Sequence, residues 1–410
     1  MFKKLLTLKE AKQRIEKSLS PKPLGIERIP LKRAVGRVLA EDIISPLNVP
    51  PFHRSTVDGY AVVAEDTFRA QEDQPVILNL AGLVEAGAIS GSELSKGSVL
   101  EIVTGAPLPI GSNAVVMIEN TTQKDETILV FKPVAKGENI MEKGSDIHKD
   151  EIVLRKGDIL SHREVGVVAA LGLPRIRVFR KPRVGIISTG AEIVEIGKPL
   201  SPGKIYDINS YTLAAAVTEA GCVPISFGIA RDHDVNSLKS VLKKAIEKVD
   251  VVITSGGVSV GPKDIMPSII NTLGKPGLLV HGVAVKPGKP VAYAIVENKP
   301  VFLLPGNPTS ALLIFHLIVR TVLLKLGGRS ESLPTVLKAI ITQRLFSARG
   351  RQTFIPVTVS KNDVDLSIAS PAASGQSGSI TTLAKADGYI ELSANTQFLE
   401  AGTEVRVFLF

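Results

Sequence analysis

The segment Ser255-Gly256-Gly257-Val258-Ser259-Val260-Gly261-Pro262-Lys263-Asp264 follows an apolar run at 251–253, so it reads as a glycine-rich turn at the carboxyl end of a buried strand. Paired glycines let a backbone turn tightly and aim its N–H groups at a ligand, and the helix after such a turn points its positive end at a phosphate. A second apolar run, 301–304, ends in Pro305-Gly306-Asn307-Pro308-Thr309-Ser310. The two turns together imply one phosphate-lined crevice. Polar residues gather at the other strand ends as well: Ser188-Thr189-Gly190 with Glu192, Tyr206-Asp207-Ile208-Asn209-Ser210, Arg231-Asp232, and Asp264. Carboxylates beside bound phosphates repel them unless a cation intervenes, and magnesium, which takes oxygen ligands and keeps several waters, is the natural inference. Asp232 and Asp264 are the candidates for that role, with helix capping as the plainer alternative. Lys286-Pro287-Gly288-Lys289-Pro290 puts two ammonium groups around a rigid turn, where they either clamp an anion or stand solvated.

Four further segments carry weaker signals. Val57-Asp58-Gly59-Tyr60-Ala61 sets a carboxylate at a turn beside a strand, which an Asx turn also explains. Thr104-Gly105-Ala106-Pro107-Leu108-Pro109 offers a hydroxyl and a backbone N–H to an anion, or simply ends a strand. Gly144-Ser145-Asp146-Ile147 adds another carboxylate in a turn, and Gly375-Gln376-Ser377-Gly378-Ser379 resembles an anion-binding turn that loop closure explains equally well. His53, His162, His233 and His281 have no spacing that supports zinc, and no GxSxG elbow occurs for a serine hydrolase.

Composition narrows the partners. The 410 residues exceed what one hydrophobic core supports, so two to four domains are expected, and 44% hydrophobic with 22% charged residues is ordinary for a soluble globular protein. The formal charge is +9 without a concentrated basic tail, aromatic residues make up 4% and tryptophan is absent, so nucleic-acid binding rests on charge alone and a small polyanion is the sharper reading. Cys222 is the lone cysteine, which rules out an internal disulfide or a CxxC pair and fits a reducing cytoplasm. No apolar run is read as approaching the roughly 18–20 residues that span a bilayer, so no membrane association is expected.

These groups need elements to position them. Residues 8–19 read as an amphipathic helix stopped by Pro21 and Pro23, and 57–64 as a short strand that opens a β-rich stretch to about residue 134. Residues 151–156 are strand-like, and Ser161 starts a helix to 171. From 183 onward short apolar strands (183–188, 223–229, 251–253, 301–304) alternate with helices, the pattern of a parallel sheet. Asn209 or Ser210 is expected to cap a helix through 220, Asp234 another, and 310–326 is a strongly apolar helix ending at Gly327-Gly328. After Pro334, short β alternations predict a small barrel or sandwich.

The combination of Ser55-Thr56-Val57-Asp58-Gly59-Tyr60-Ala61, Thr104-Gly105-Ala106-Pro107-Leu108-Pro109, Ser255 to Gly261 with Asp264, and Leu304-Pro305-Gly306-Asn307-Pro308 resembles the MoeA family of molybdopterin molybdenumtransferases across essentially the whole chain. Gly288-Lys289-Pro290 and Gly375-Gln376-Ser377-Gly378-Ser379 follow in the expected order. The resemblance implies a multidomain α/β and β fold: a discontinuous N-terminal linker domain (1–50 and 142–180), an inserted β-rich domain (51–141), a three-layer molybdopterin-binding α/β domain (181–328) and a C-terminal β barrel (333–410). It implies a homodimer whose active cleft lies between subunits, with Asp58, Thr104 and Asp146 facing Glu192, Asp232, Asp264 and the Lys286 region. The implied reaction is magnesium-dependent: adenylylated molybdopterin and molybdate react, AMP leaves, and the metal is inserted at the dithiolene sulfurs. By the same resemblance Asp232 and Asp264 place magnesium, Lys286 and Lys289 hold phosphate or oxyanion, Gly256, Gly257 and Ser259 bind the substrate, and Pro305, Asn307, Pro308 and Ser377 shape the oxyanion or pterin pocket. A transient contact with the molybdopterin adenylyltransferase is also implied.

Ala191 departs from the family pattern, which often has Asp or Asn before the glutamate, but Glu192 remains. Rival readings are the adenylyltransferase itself, against which the flanking domains argue, CinA-type proteins that share only the middle domain, and a scaffold of the kind fused in eukaryotic relatives. Nothing in the sequence separates molybdate from tungstate.

Overall fold

Strict alternation along the central strands decides how their sheet is covered. Val184, Ile186, Val251, Ile253, Phe302 and Leu304 fall in one buried cluster, while Ile187, Val252, Val301 and Leu303 fall in another. Both faces of the sheet are therefore packed, which is why its strands read as continuous apolar runs. A computed structural model describes residues 5–87, 93–231, 234–258, 265–329, 335–361, 365–372 and 379–410. Contacts divide the chain into two compact units, one of residues 1–28, 36–40 and 177–410 and the other of residues 29–35 and 41–176.

In the first unit the six-stranded sheet runs in the order Val223–Ala230, Arg183–Thr189, Val251–Ser255, Lys299–Leu304, Ala292–Val296, Pro276–His281. The first four strands are parallel, and Ala292–Val296 pairs antiparallel with both Lys299–Leu304 and Pro276–His281. Parallel register aligns Ser188 with Ser255 and Ser255 with Leu304, so these residues share one edge. Helix Asn209–Glu219 and the long helix that begins at Pro308 cover one face through Leu213, Val217, Ala311 and Ile314; Val235–Lys248 and Met266–Leu273 cover the other through Leu238, Leu242, Ile246 and Ile270. The N-terminal helix Leu8–Leu19, capped by a reciprocal Thr7 and Glu10 box, buries Leu8, Ala11 and Ile15 in the first of these clusters.

Two expectations for these helices need correction. Neither Asn209 nor Ser210 caps Asn209–Glu219; the Asp207 carboxylate accepts from the Ser210 N–H at 3.1 Å instead, because the Asn209 amide is committed elsewhere. The apolar helix is continuous from Pro308 to Leu326 but passes through a π-helical turn at Phe315–Val319. At 19 residues it is long and apolar enough to cross a membrane, contrary to the reading that no such run exists. The 72% burial of its apolar window accounts for that composition within a protein core.

The C-terminal part closes on itself. Its strands follow the order Gln352–Lys361, Ser367–Pro371, Val336–Ile341, Glu404–Leu409, Gly388–Leu392, and the last pairs back to the first, making a five-stranded barrel around Ile341, Val357, Ile390 and Val407. Val285–Lys286 pairs in parallel with Gln352 and Thr353, so a segment of the α/β domain extends the barrel sheet.

The second unit carries a six-stranded sheet in the order Ala114–Met117, Gly59–Val62, Ser98–Ile102, Val76–Val84, Thr127–Val130, Thr121–Lys124. Tyr60 and Val62 pack on one side and Ala61 on the other. Gly59 is required here, since a Cβ at that position would lie 1.9 Å from the Val116 carbonyl oxygen. Ser161 caps helix His162–Ala170 in a box with Glu164, as its sequence predicts. The multidomain α/β and β class expected from sequence is the class observed.

Phe302 is fully buried, with its ring centroid 5.1 Å from that of Tyr293. Phe302→Ala is expected to cost about 3–5 kcal/mol, seen as a lowered urea midpoint for the transition of the α/β unit.

Candidate active site

The strand ends are tied by a small polar lattice. Asn209 Nδ2 donates to Ser255 Oγ at 2.6 Å and to the Gly306 carbonyl at 2.7 Å, Ser255 Oγ donates to the Pro305 carbonyl at 3.2 Å, and Thr189 Oγ1 donates to the Ser255 carbonyl at 3.2 Å. Ser188 Oγ meets Asp207 Oδ1 at 2.9 Å. Ser188, Thr189, Asp207, Asn209 and Ser255 are all buried, so each of these bonds satisfies a group that would otherwise be costly to desolvate. The glycine-rich turn fits this lattice only as glycine: Gly256 has φ +94°, and a Cβ there would lie 2.2 Å from the Thr189 carbonyl oxygen. Gly257, at φ +67°, comes against the Thr189 hydroxyl. Asn209 Oδ1 and Thr254 Oγ1 are buried here without a hydrogen-bond partner among the described residues.

Beside these turns lies a cavity of about 610 Å³, within the range of small-molecule sites. The α/β domain contributes Lys286, Lys289, Pro305, Asn307 and Ser310, and the barrel contributes Arg344, Phe346, Arg351, Thr353 and Thr382. No Asp or Glu is among its described lining residues. Arg344 is already neutralised, its Nε and Nη2 donating to the two oxygens of Glu400 at 2.8 and 2.5 Å. Thr382 Oγ1 is buried in this wall with no partner among the described residues. The result is a concave, cation-lined pocket suited to an oxyanion.

Sequence-selected residues fall into distinct groups. Pro305, Asn307, Lys286 and Lys289 line the cavity, and Gly256 and Gly257 form the adjoining turn. Pro308 is the first residue of the core helix rather than a described lining residue. Glu192 is exposed, with its carboxylate folded over Gly190, while Ala191 offers its carbonyl to Lys204 Nζ at 2.6 Å. Asp232, Ser259, Asp264 and Ser377 lie outside the described residues. In the second unit Asp58 and Thr104 meet: Asp58 Oδ1 accepts from the Thr104 N–H at 2.6 Å and from its hydroxyl at 2.9 Å. Those two bonds, the backbone one first, hold the Asp58 carboxyl below its ordinary range. Asp146 stands on a separate exposed turn whose N–H binds the Val49 carbonyl at 3.1 Å. Among the described residues no group of three or more His, Cys, Asp or Glu could hold a metal ion, so these residues alone do not make a magnesium site. Cys222 is buried, which pushes its thiol up to about 12 and leaves it inert.

Reading the sequence did not select Arg344, Arg351, Thr353 or Thr382. Arg344, Arg351 and Thr353 sit on barrel segments that the pairing of Lys286 with Thr353 joins to the pocket, and Thr382 sits on the short helix Ile380–Lys385, just after Ser379, whose carbonyl accepts from Thr309 Oγ1 at 3.2 Å.

Family comparison covers the same parts in the same order. The MoeA N-terminal region (domains I and II) matches residues 6–172, a probable molybdopterin binding domain matches 185–325, and the MoeA C-terminal region (domain IV) matches 338–410. The chain belongs to the MoeA family. A putative molybdopterin biosynthesis protein of Methanocaldococcus jannaschii is 34% identical over 420 residues, covering 100% of this chain and 99% of the relative. A molybdopterin molybdenumtransferase of Haemophilus influenzae is 37% identical over 352 residues, 85% of each chain. Two crystal structures of molybdopterin biosynthesis MoeA protein from Pyrococcus horikoshii superpose with TM-scores of 0.84 and 0.82 at 42% and 35% identity; each match covers 99% of this chain, with 99% and 100% of the respective structure. As a MoeA protein the chain is a transferase of molybdenum-cofactor biosynthesis.

Because the Asp58 pKa is depressed, whatever its charge contributes is present above the ordinary carboxylate range and fades as pH falls through the folded value. Thr104→Val removes the hydroxyl but keeps the N–H. The Asp58 carboxyl should then titrate at higher pH than in the parent while staying below its ordinary value, as followed by carbon NMR; an unmoved midpoint would exclude the hydroxyl as a cause.

Proposed function

We propose that this MoeA protein takes adenylylated molybdopterin and molybdate, releases AMP by cleaving the pyrophosphate bond, and leaves the metal on the dithiolene sulfurs. The observation that carries the reading is the cation-lined cavity beside the strand-end turns. Molybdate is a tetrahedral dianion, and Lys286, Lys289 and Arg351 present positive charge to the same space. Fixed donors in a partly dehydrated cavity stabilise an oxyanion without reorganising at the moment of reaction. The substrate brings its own sulfurs, so the protein needs no thiolate, in keeping with its single inert cysteine. A reducing cytoplasm suits a dithiolene substrate, and we place the reaction there.

The strand-end lattice keeps the Gly256 and Gly257 turn beside Pro305 and Gly306, where backbone groups can orient the pyrophosphate end. Magnesium is the ion expected there, and in this reading Asp232 and Asp264 hold it through its waters while Glu192 assists. Asp58, Thr104 and Asp146 of one protomer would complete the cleft of its partner in a homodimer. Tungstate, matched to molybdate in charge and size, would compete for the same pocket. Direct handover from the adenylyltransferase would spare the substrate a passage through water.

Purified protein incubated with adenylylated molybdopterin, magnesium and molybdate should release AMP together with metal retained on the pterin, and tungstate run in parallel ranks the two oxyanions. An intact adenylylated pterin in every sample would reject the transferase reading. Arg351→Gln should raise the KM for molybdate about 10- to 100-fold, the worth of one charged hydrogen bond, with a smaller change in the KM for the pterin substrate.

A further inference from the structure

The outer wall of the cavity carries an aromatic surface that the oxyanion chemistry does not use. Leu345–Phe346 and Phe398–Leu399 form a short antiparallel pair in which Phe346 stands directly opposite Phe398. Period-two alternation sends Leu345 and Leu399 toward the barrel core and both phenylalanines outward on one face. Phe346 is 65% and Phe398 44% exposed. Two large apolar rings side by side in water are a standing cost, about 25 cal/mol for each Å² left uncovered. Phe354, the other aromatic on the described cavity wall, is buried in the core, so Phe346 is the lining ring with a face to offer.

The surface is also held in place. The guanidinium carbon of Arg344 lies 5.0 Å from the centroid of the Phe398 ring. Glu400 grips the same guanidinium with both oxygens, at 2.8 and 2.5 Å, which fixes its plane and cancels its charge. Beyond the phenylalanines the Ser347 N–H bonds the Gln397 carbonyl at 2.9 Å and continues the pairing. Phe346 therefore lines the pocket with an exposed ring, and Phe398 with the clamped guanidinium over it stands opposite on the neighbouring strand, outside a pocket whose inner wall is cationic.

We propose that Phe346 and Phe398 are positioning residues that stack a flat nitrogen heterocycle of the substrate at the mouth of the pocket, with the oxyanion held deeper between Lys286, Lys289 and Arg351. This rests on the proposed function, whose substrate carries two such rings, pterin and adenine, joined to anionic groups. Stacking on a ring face is tolerant of which heterocycle is present, so the shared chemistry is the flat ring, and the two sources are separated by experiment.

The test uses the full chain with three probes: 6-hydroxymethylpterin followed by its fluorescence quenching, and AMP and molybdate followed by calorimetry. Phe346→Ala, and more strongly the double variant with Phe398→Ala, should weaken one of the two heterocycles by about 5- to 150-fold, and Phe346→Tyr should restore it to within about twofold of the parent. Molybdate affinity should stay unchanged in all three variants, which also reports that the pocket is folded. Loss of the pterin arm assigns the ring pair to the pterin end, and loss of the AMP arm assigns it to the adenine end. Unchanged binding of both heterocycles to the double variant, or binding of neither to the parent, overturns the stacking role. Failure of the parent to bind molybdate would instead strike the oxyanion reading, with the ring pair still judged on the two heterocycle arms.

Discussion

Parallel register brings three strand ends to one edge, and the turn after the middle one fits there because Gly256 has no side chain. Its backbone passes so close to Thr189 that a single added carbon would sit 2.2 Å from a carbonyl oxygen. That proximity lets Thr189 donate to the Ser255 carbonyl and lets Asn209 reach Ser255 and Gly306 together. With the turns locked, Pro305 and Asn307 line the cavity together with the lysine turn at 286–289 and give it an inner wall. The catalytic reading therefore depends on a steric constraint before it depends on any charge.

Charge is arranged by sorting rather than by accumulation. Arg344 is cancelled by Glu400 and turned over a ring, while Arg351 and the two lysines face the cavity. A guanidinium paired with a carboxylate supplies shape and a flat face; one aimed into a pocket supplies potential. In the other unit Asp58 is kept ionised by Thr104 at an exposed turn, where water already favours the charged form and two donors reinforce it.

What the sequence revealed follows from which forces are local. The parallel strands were legible because both faces are buried, so 184–187 and 301–304 have no polar alternation to hide them. Ser161 and Asp234 were legible as caps because a cap acts within three residues, and each accepts from a nearby N–H. The expected Asn209 or Ser210 cap failed for the opposite reason: Asn209 is drawn to the Gly306 carbonyl, 97 residues away along the chain, and Asp207 accepts from the Ser210 N–H instead. The π turn at Phe315–Val319 leaves no local mark in a largely apolar segment broken only by His316 and Arg320. Arg351 belongs to the pocket through the Lys286 and Thr353 pairing, and Thr382 through a helix anchored by the bond from Thr309 to the Ser379 carbonyl, neither of which has a local signature.

That pairing has a consequence for how the protein could have been assembled from parts. Val285–Lys286 is an edge whose partner comes from the barrel, so the two domains share a seam of backbone hydrogen bonds as well as side-chain contacts. A fragment ending before residue 335 would lose more than half a binding site: it would present an unpaired strand beside the cavity's exposed apolar wall, the kind of edge that recruits foreign strands. The barrel thus serves as a built-in cover, and the modular look of the chain conceals two pieces joined by a shared backbone edge.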